Sequence, residues 1–240
     1  MILRRRRAVA VVGLSAVVIA LLAVALGPVI ALLAHDEDRA LESLVFEPGM
    51  LISDEDFYDA DAMTAEEIQR FLDERVGRCR TDSCLNVLRT DLPAREPVVS
   101  ETTGETVCQG WSGGELSAAE IIDRVQRACG ISARVLLVTL QKEQSLVSGA
   151  TARSPEPDEL AAAMGARCPD DAPCDPGRAG FADQVAQGAT DLKSYRAAEF
   201  MRQPGSHWIA YSPDPACGGT EVSIANDATA ALYNYTPYQP

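Results

Sequence analysis

The chain has 240 residues, 35 acidic against 21 basic side chains, a formal charge of −14 and 47% hydrophobic residues. So acidic a surface excludes nucleic acid and anionic lipid as partners held by overall electrostatics, since both carry the same sign. No Cys-x-x-Cys occurs, and neither His35 nor His207 stands at zinc-finger spacing from a cysteine pair, so no metal and no cofactor is expected.

Arg4, Arg5, Arg6 and Arg7 open the chain as a cytoplasmic basic tail (residues 1–7). An uncharged run from Ala8 to Ala34 follows, longer than the roughly 20 residues that cross a bilayer core as a helix. Basic flanks stay inside, so residues 8–34 are expected to form one N-terminal transmembrane helix or signal anchor with everything after it outside. The expected place is the cytoplasmic membrane, single-pass, with the C-terminal part outside. The alternative is secretion after a cut at Ala23-Val24-Ala25 or at Leu32-Leu33-Ala34; the length of the span favours the uncleaved anchor.

Residues 35–63 read as an acidic stalk, helical from His35 to Leu44 and then turn-rich around Pro48-Gly49. Within it, Asp54, Asp56, Asp59 and Asp61 lack the glycine and terminal glutamate of a calcium loop, which favours a solvated turn. Residues 64–240 form the extracytoplasmic domain. Thr64 with Glu67 is a capping box, and Ile68, Phe71, Leu72 and Val76 continue it as an apolar helical stripe. Residues 90–115, rich in proline, glycine and threonine, read as an extended connection. Ser117 with Glu120 starts a second helix, which Gly130 ends after Cys129.

Ser132 is expected to cap the most apolar helix, which runs to about Val147 and is expected at the centre of the core. Residues 149–180 read as irregular, Phe181 to about Met201 as helix and 204–223 as loop. A last helix is expected from about Ser223 into Tyr233-Asn234-Tyr235. With no sustained alternation of β-branched residues, the fold class is mainly α.

All seven cysteines lie beyond the apolar span, where an oxidising exterior favours disulfides. Cys79 with Cys84 and Cys168 with Cys174 would close short loops. Cys108 with Cys129 would tie the start of the helical region to the end of its first helix. Cys217 remains, its disulfide partner unknown, and a segment beyond Tyr-Thr-Pro-Tyr-Gln-Pro is one source for it.

Leu136, Leu140, Glu143 and Val147 follow one another at helical spacing, which puts Glu143 on an apolar stripe. Loss of hydration there penalises the charged carboxylate, the condition a glycosidase general acid needs. Periodicity alone favours a solvated glutamate near a helix end, as most helical glutamates are. Trp111, Trp208 and Tyr211 are candidates for stacking on sugar rings or for the core.

Residues 131–147 resemble the catalytic helix of the lysozyme-like lytic transglycosylases, with a glutamate near its end. Met164-Gly165, Gly180-Phe181 and Gln184 resemble that family's second block, and Tyr233-Asn234-Tyr235 its third. The exported part as a whole is similar to a group of secreted or anchored actinobacterial wall proteins often labelled hemagglutinin. It shares with them Leu51-Ile52-Ser53-Asp54, Phe57-Tyr58, the Cys168–Cys174 loop and the final Ala231 to Pro240. The resemblance implies a lysozyme-like helical domain with long disulfide-tied loops. It implies peptidoglycan as partner, Glu143 as the catalytic acid, and Gln184, Tyr233, Asn234 and Tyr235 as substrate-binding residues.

The activity implied is that of a lytic transglycosylase or lysozyme-like glycosidase; the alternative is a non-catalytic glycan-binding or adhesive module. Departures are Gln144 where the family has serine, and the charged Asp183 between Gly180 and Gln184. A hydrolytic route would need a second carboxylate, for which Asp170, Asp171 and Asp183 are candidates.

Overall fold

The computed structural model describes residues 46–168, 174–198 and 200–239. The apolar span from Ala8 to Ala34 and the stalk helix from His35 to Leu44 lie outside the described residues. Among those described, no helix is long and apolar enough to cross a membrane.

Eight α-helices and three two-stranded antiparallel sheets make up the described chain. In order they are α1 (Asp54–Phe57), α2 (Ala65–Val76), β1 (Arg89–Leu92), β2 (Val98–Val99), β3 (Thr106–Cys108) and β4 (Gly114–Ser117). Then come α3 (Ala118–Cys129), α4 (Ala133–Gln144), α5 (Gly149–Ala152), α6 (Pro157–Ala161), α7 (Phe181–Ala197), β5 (Gly205–Ala210), β6 (Gly219–Ile224) and α8 (Asp227–Tyr235). The helix-rich class and all three expected disulfides, Cys79–Cys84, Cys108–Cys129 and Cys168–Cys174, are present, and Cys217 is free and exposed.

Two helix starts follow local chemistry directly. Thr64 and Glu67 form a reciprocal capping box on α2, and Ser117 and Glu120 form one on α3. The main-chain N–H of Ser117 beside Glu120 holds that carboxyl below its ordinary range. Gly130, left-handed at φ 62°, closes α3. Ser132 behaves differently from expectation. It is wholly buried and makes no capping bond, while Gln126 Oε1 accepts the Ala133 N–H at 3.0 Å.

Several expectations are corrected by pairing between distant segments. The connection at 90–115 holds the pairs β1–β4 and β2–β3, and the loop at 204–223 is mostly the β5–β6 hairpin, registered from Gly205↔Ile224 to Ala210↔Gly219. Ser223 lies in β6, so α8 starts only after Asn226, whose side chain accepts the Thr229 N–H at 3.0 Å. The irregular stretch contains α5 and α6. The stalk boundary also moves, since Pro48 onward belongs to the same unit as the helices. Phe57 is wholly buried, Leu51 N–H donates to Thr229 Oγ1 at 3.0 Å, and Asp54 Oδ1 accepts the Ala228 N–H at 2.7 Å. The Leu51-Ile52-Ser53-Asp54 run is thereby bound to the start of α8.

The hub of the core is α7 rather than α4. It packs against α3, α4, α6, α8, β1 and β3, whereas Val138 on α4 is 67% exposed. Small residues make this possible. A β carbon on Gly188 would lie 2.9 Å from Met164 Sδ, so the glycine leaves room for the Met164 side chain against α7. Arg95 clamps the long connection onto the same helix, donating to Ala186 O at 3.2 Å and Thr190 Oγ1 at 3.1 Å.

Candidate active site

Helix α4 stops at Gln144 rather than reaching Val147, because Ser145 turns into the left-handed region at φ 54°. Gln141 covers the exit: its Oε1 accepts the N–H groups of Val147 at 3.1 Å and Ser148 at 2.8 Å. Leu146 and Val147 then turn inward and are buried. The apolar stripe is thus completed by a turn, which leaves Glu143 at the rim with its side chain 22% exposed. A left-handed non-glycine residue costs about 1–2 kcal/mol, partly offset by the entropy of a glycine. Ser145→Gly is therefore expected to raise stability by about 0.5 kcal/mol. The urea midpoint at constant m-value reads this, and a lower midpoint contradicts it.

One group bonds the Glu143 carboxylate and another stands against it. Lys142 Nζ pairs with Oε1 at 2.8 Å and also reaches Thr236 Oγ1 at 3.1 Å. Oε2 faces Gly165, where an added β carbon would sit 3.1 Å away. Gly165 is itself left-handed at φ 66°. Gly165→Ala therefore combines backbone strain with pressure on Oε2. It is expected to cost about 1–2 kcal/mol by denaturation. It should also lower any Glu143-dependent turnover further than the lost stability explains; wild-type values for both would refute the contact.

The Gly165 turn is built by Gln184, which is wholly buried on α7. Its Oε1 accepts the N–H groups of Met164 at 3.2 Å and Ala166 at 3.1 Å. Its Nε2 donates to Ala166 O at 2.7 Å and Arg178 O at 2.9 Å. Gln184 thus shapes the wall behind Glu143 and offers no free polar atom to a ligand. From the other side, the Tyr235 hydroxyl donates to Met164 O. Burial first, and the nearby Glu143 carboxylate second, push that phenol well above its ordinary range.

Of the three aromatic-asparagine residues, only Tyr235 reaches this place. Tyr233 is 1% exposed, packs with Ile209, Val222 and Ile224, and donates to Pro48 O at 2.8 Å. Asn234 bonds the main chain of Arg202 at both its amide atoms, at 3.0 and 2.9 Å. Successive helical residues point about 100° apart, so three in a row on α8 cannot share one face. Tyr233 and Asn234, expected beside the substrate, are here engaged in packing and in holding a loop, away from Glu143. Lys142 and Thr236 join the site in their stead. Both were visible only as neighbours of Glu143 and Tyr235 in the sequence.

Asp170 and Asp171 lie outside the described residues, and Asp183 stands in the first turn of α7. The acidic cluster is divided among separate tasks. Asp54 caps α8, Asp56 accepts from Ser53 Oγ, Asp59 accepts the Asp61 N–H, and Asp61 pairs with Arg127. Trp111 donates its indole N–H to Pro93 O at 3.0 Å beneath Arg95, while Trp208 and Tyr211 are 60% and 51% exposed. Cavities of about 350 to 550 Å³ open elsewhere on the surface, and Glu143 lines none of the four.

The site that results is a half-sheltered carboxylate with one oxygen on an ammonium and the other against a glycine turn. Comparison of the chain with protein-family models, with curated proteins and with solved structures returns no match.

Proposed function

We propose that the exported part is a lysozyme-like domain that cleaves or remodels peptidoglycan glycan strands at the bond between N-acetylmuramic acid and N-acetylglucosamine. Held by the 8–34 anchor, it would act at the outer face of the cytoplasmic membrane. One observation carries this reading: Glu143, Gly165 and Tyr235, from the three sequence blocks that resemble the transglycosylases, meet within one wall.

In this reading Glu143 gives its proton to the glycosidic oxygen as that bond breaks. The substrate's acetamido group assists at the anomeric carbon, so no second carboxylate is required. Glu143, now a base, takes the proton of the muramic C6 hydroxyl as its oxygen closes a 1,6-anhydro ring. Gly165 keeps Oε2 clear of side-chain atoms, and Gln184 keeps Gly165 in place. Purified peptidoglycan digested with the full chain and separated by mass spectrometry tests this. Anhydro-ended fragments support it, and an intact polymer at high enzyme load sinks it.

The Lys142 bridge favours a second reading. Oε1 is already engaged by an ammonium that is also bonded to Thr236, an arrangement suited to holding sugar hydroxyls without turnover. Co-sedimentation of the protein with insoluble glycan, with no soluble product, selects that reading.

A further inference from the structure

Away from Glu143, a cavity of about 550 Å³ is lined by Arg78, Cys79, Arg80 and Arg153. Three of its four lining residues are arginines, in a chain whose formal charge is −14. Among the described residues none of the three forms an ion pair with a carboxylate. Asp82, the acidic residue nearest to Arg80 in sequence, lines the neighbouring cavity with Pro155 and Leu160.

The arginines stand on a fixed floor. The Cys79–Cys84 disulfide constrains the loop that carries Arg78 and Arg80, and Cys84, Val76 and Ala152 are buried together beneath it. Arg80 N–H donates to Arg153 O at 2.9 Å, and Ser83 Oγ donates to Pro155 O at 3.2 Å, joining two segments far apart in sequence. Arg153 Nε is spent on Gly149 O at 3.0 Å, which orients that guanidinium; among the described residues its terminal N–H groups have no partner. The main chain that carries Arg78 and Arg80 is thus constrained, and the Arg153 guanidinium is oriented.

The donor count indicates the ligand. Each guanidinium offers five N–H groups in a planar fork, and one or two such forks already saturate a carboxylate. Three suit the larger charge and the tetrahedral oxygens of a phosphate. The volume exceeds what a bare phosphate occupies and falls within the about 300–1,000 Å³ of small-molecule pockets. We infer that this cavity is a phosphate-ester site, which takes a phosphorylated polyol or sugar on Arg78, Arg80 and Arg153. The inference does not depend on Glu143 or on turnover.

Phosphorus NMR titrations of the full chain in neutral detergent, at about 0.15 M salt, test it. Glycerol 3-phosphate should bind saturably and glycerol should not. Arg80→Gln or Arg153→Gln should weaken binding about tenfold, the scale of one charge-assisted contact, and the triple Arg78→Gln, Arg80→Gln, Arg153→Gln should abolish it. The control is Arg75→Gln with Arg134→Gln, two exposed arginines outside the cavity, which should bind as wild type does. Absence of saturable binding, or an equal loss in the control, overturns the site. Inorganic phosphate bound as tightly as glycerol 3-phosphate overturns the ester assignment. Tighter binding of short-chain phosphatidylglycerol assigns the group to a lipid headgroup and overturns a soluble polyol or sugar.

Discussion

Glu143→Gln is expected to lower the release of soluble muropeptides by about 10²–10⁴-fold, the contribution of a positioned general acid. The amide has nearly the shape of the acid, so the contact with Gly165 is kept while the transferable proton is lost. The folding cost should be small. The pair with Lys142 lies at the rim, with that lysine 53% exposed, and such pairs contribute about 0–1 kcal/mol. A urea midpoint within that margin, together with the loss of product, separates chemistry from unfolding. Glu143→Asp should recover little, since a shortened side chain draws the carboxyl away from the Gly165 wall. Release by Glu143→Gln at the wild-type rate would remove Glu143 from the mechanism. Undiminished co-sedimentation of both proteins with glycan, neither releasing product, would favour the binding module.

Gln184→Leu should produce the largest loss of stability. The substitution leaves the N–H groups of Met164 and Ala166 and the carbonyls of Ala166 and Arg178 without these partners in a place where Gln184 itself is wholly buried. Each unsatisfied buried group costs about 1–3 kcal/mol, and local relaxation recovers part of that. A net loss of about 3–5 kcal/mol is expected, a large share of the roughly 5–15 kcal/mol that holds a domain folded. Glycan turnover should fall as well, even under conditions where the variant is folded, because the Gly165 turn loses its support. A midpoint shift equivalent to less than about 1 kcal/mol would show that the turn stands without Gln184.

The two capping boxes were legible because each depends on residues three apart, and the Thr64–Glu67 and Ser117–Glu120 bonds form wherever that backbone starts a helix. The disulfide pairs were legible for a related reason. Cys79 with Cys84 and Cys168 with Cys174 are short closures, and once these four are paired few choices remain. The β5–β6 hairpin was not legible: one strand turns a single residue into the core, Ile209, and the other turns two, Val222 and Ile224. Alternation that brief does not stand out from a loop.

Glu143 stands out through the resemblance of residues 131–147 to a catalytic helix, since its periodicity alone fits a solvated glutamate. Its setting was decided elsewhere. Gln184 read as a residue of the cleft wall facing a ligand, yet packing turns it inward to build the wall. Tyr233, Asn234 and Tyr235 read as one motif, but the helical twist of α8 sends them to Pro48, to Arg202 and to Met164. Local spacing therefore marked where α2 and α3 begin and which cysteines could close short loops, and the resemblance marked which carboxylate to watch. Only the tertiary structure decided which side chains meet that carboxylate. Those contacts join α4, the Gly165 turn and the end of α8, and hydrogen bonds between distant segments leave no periodic trace in the sequence.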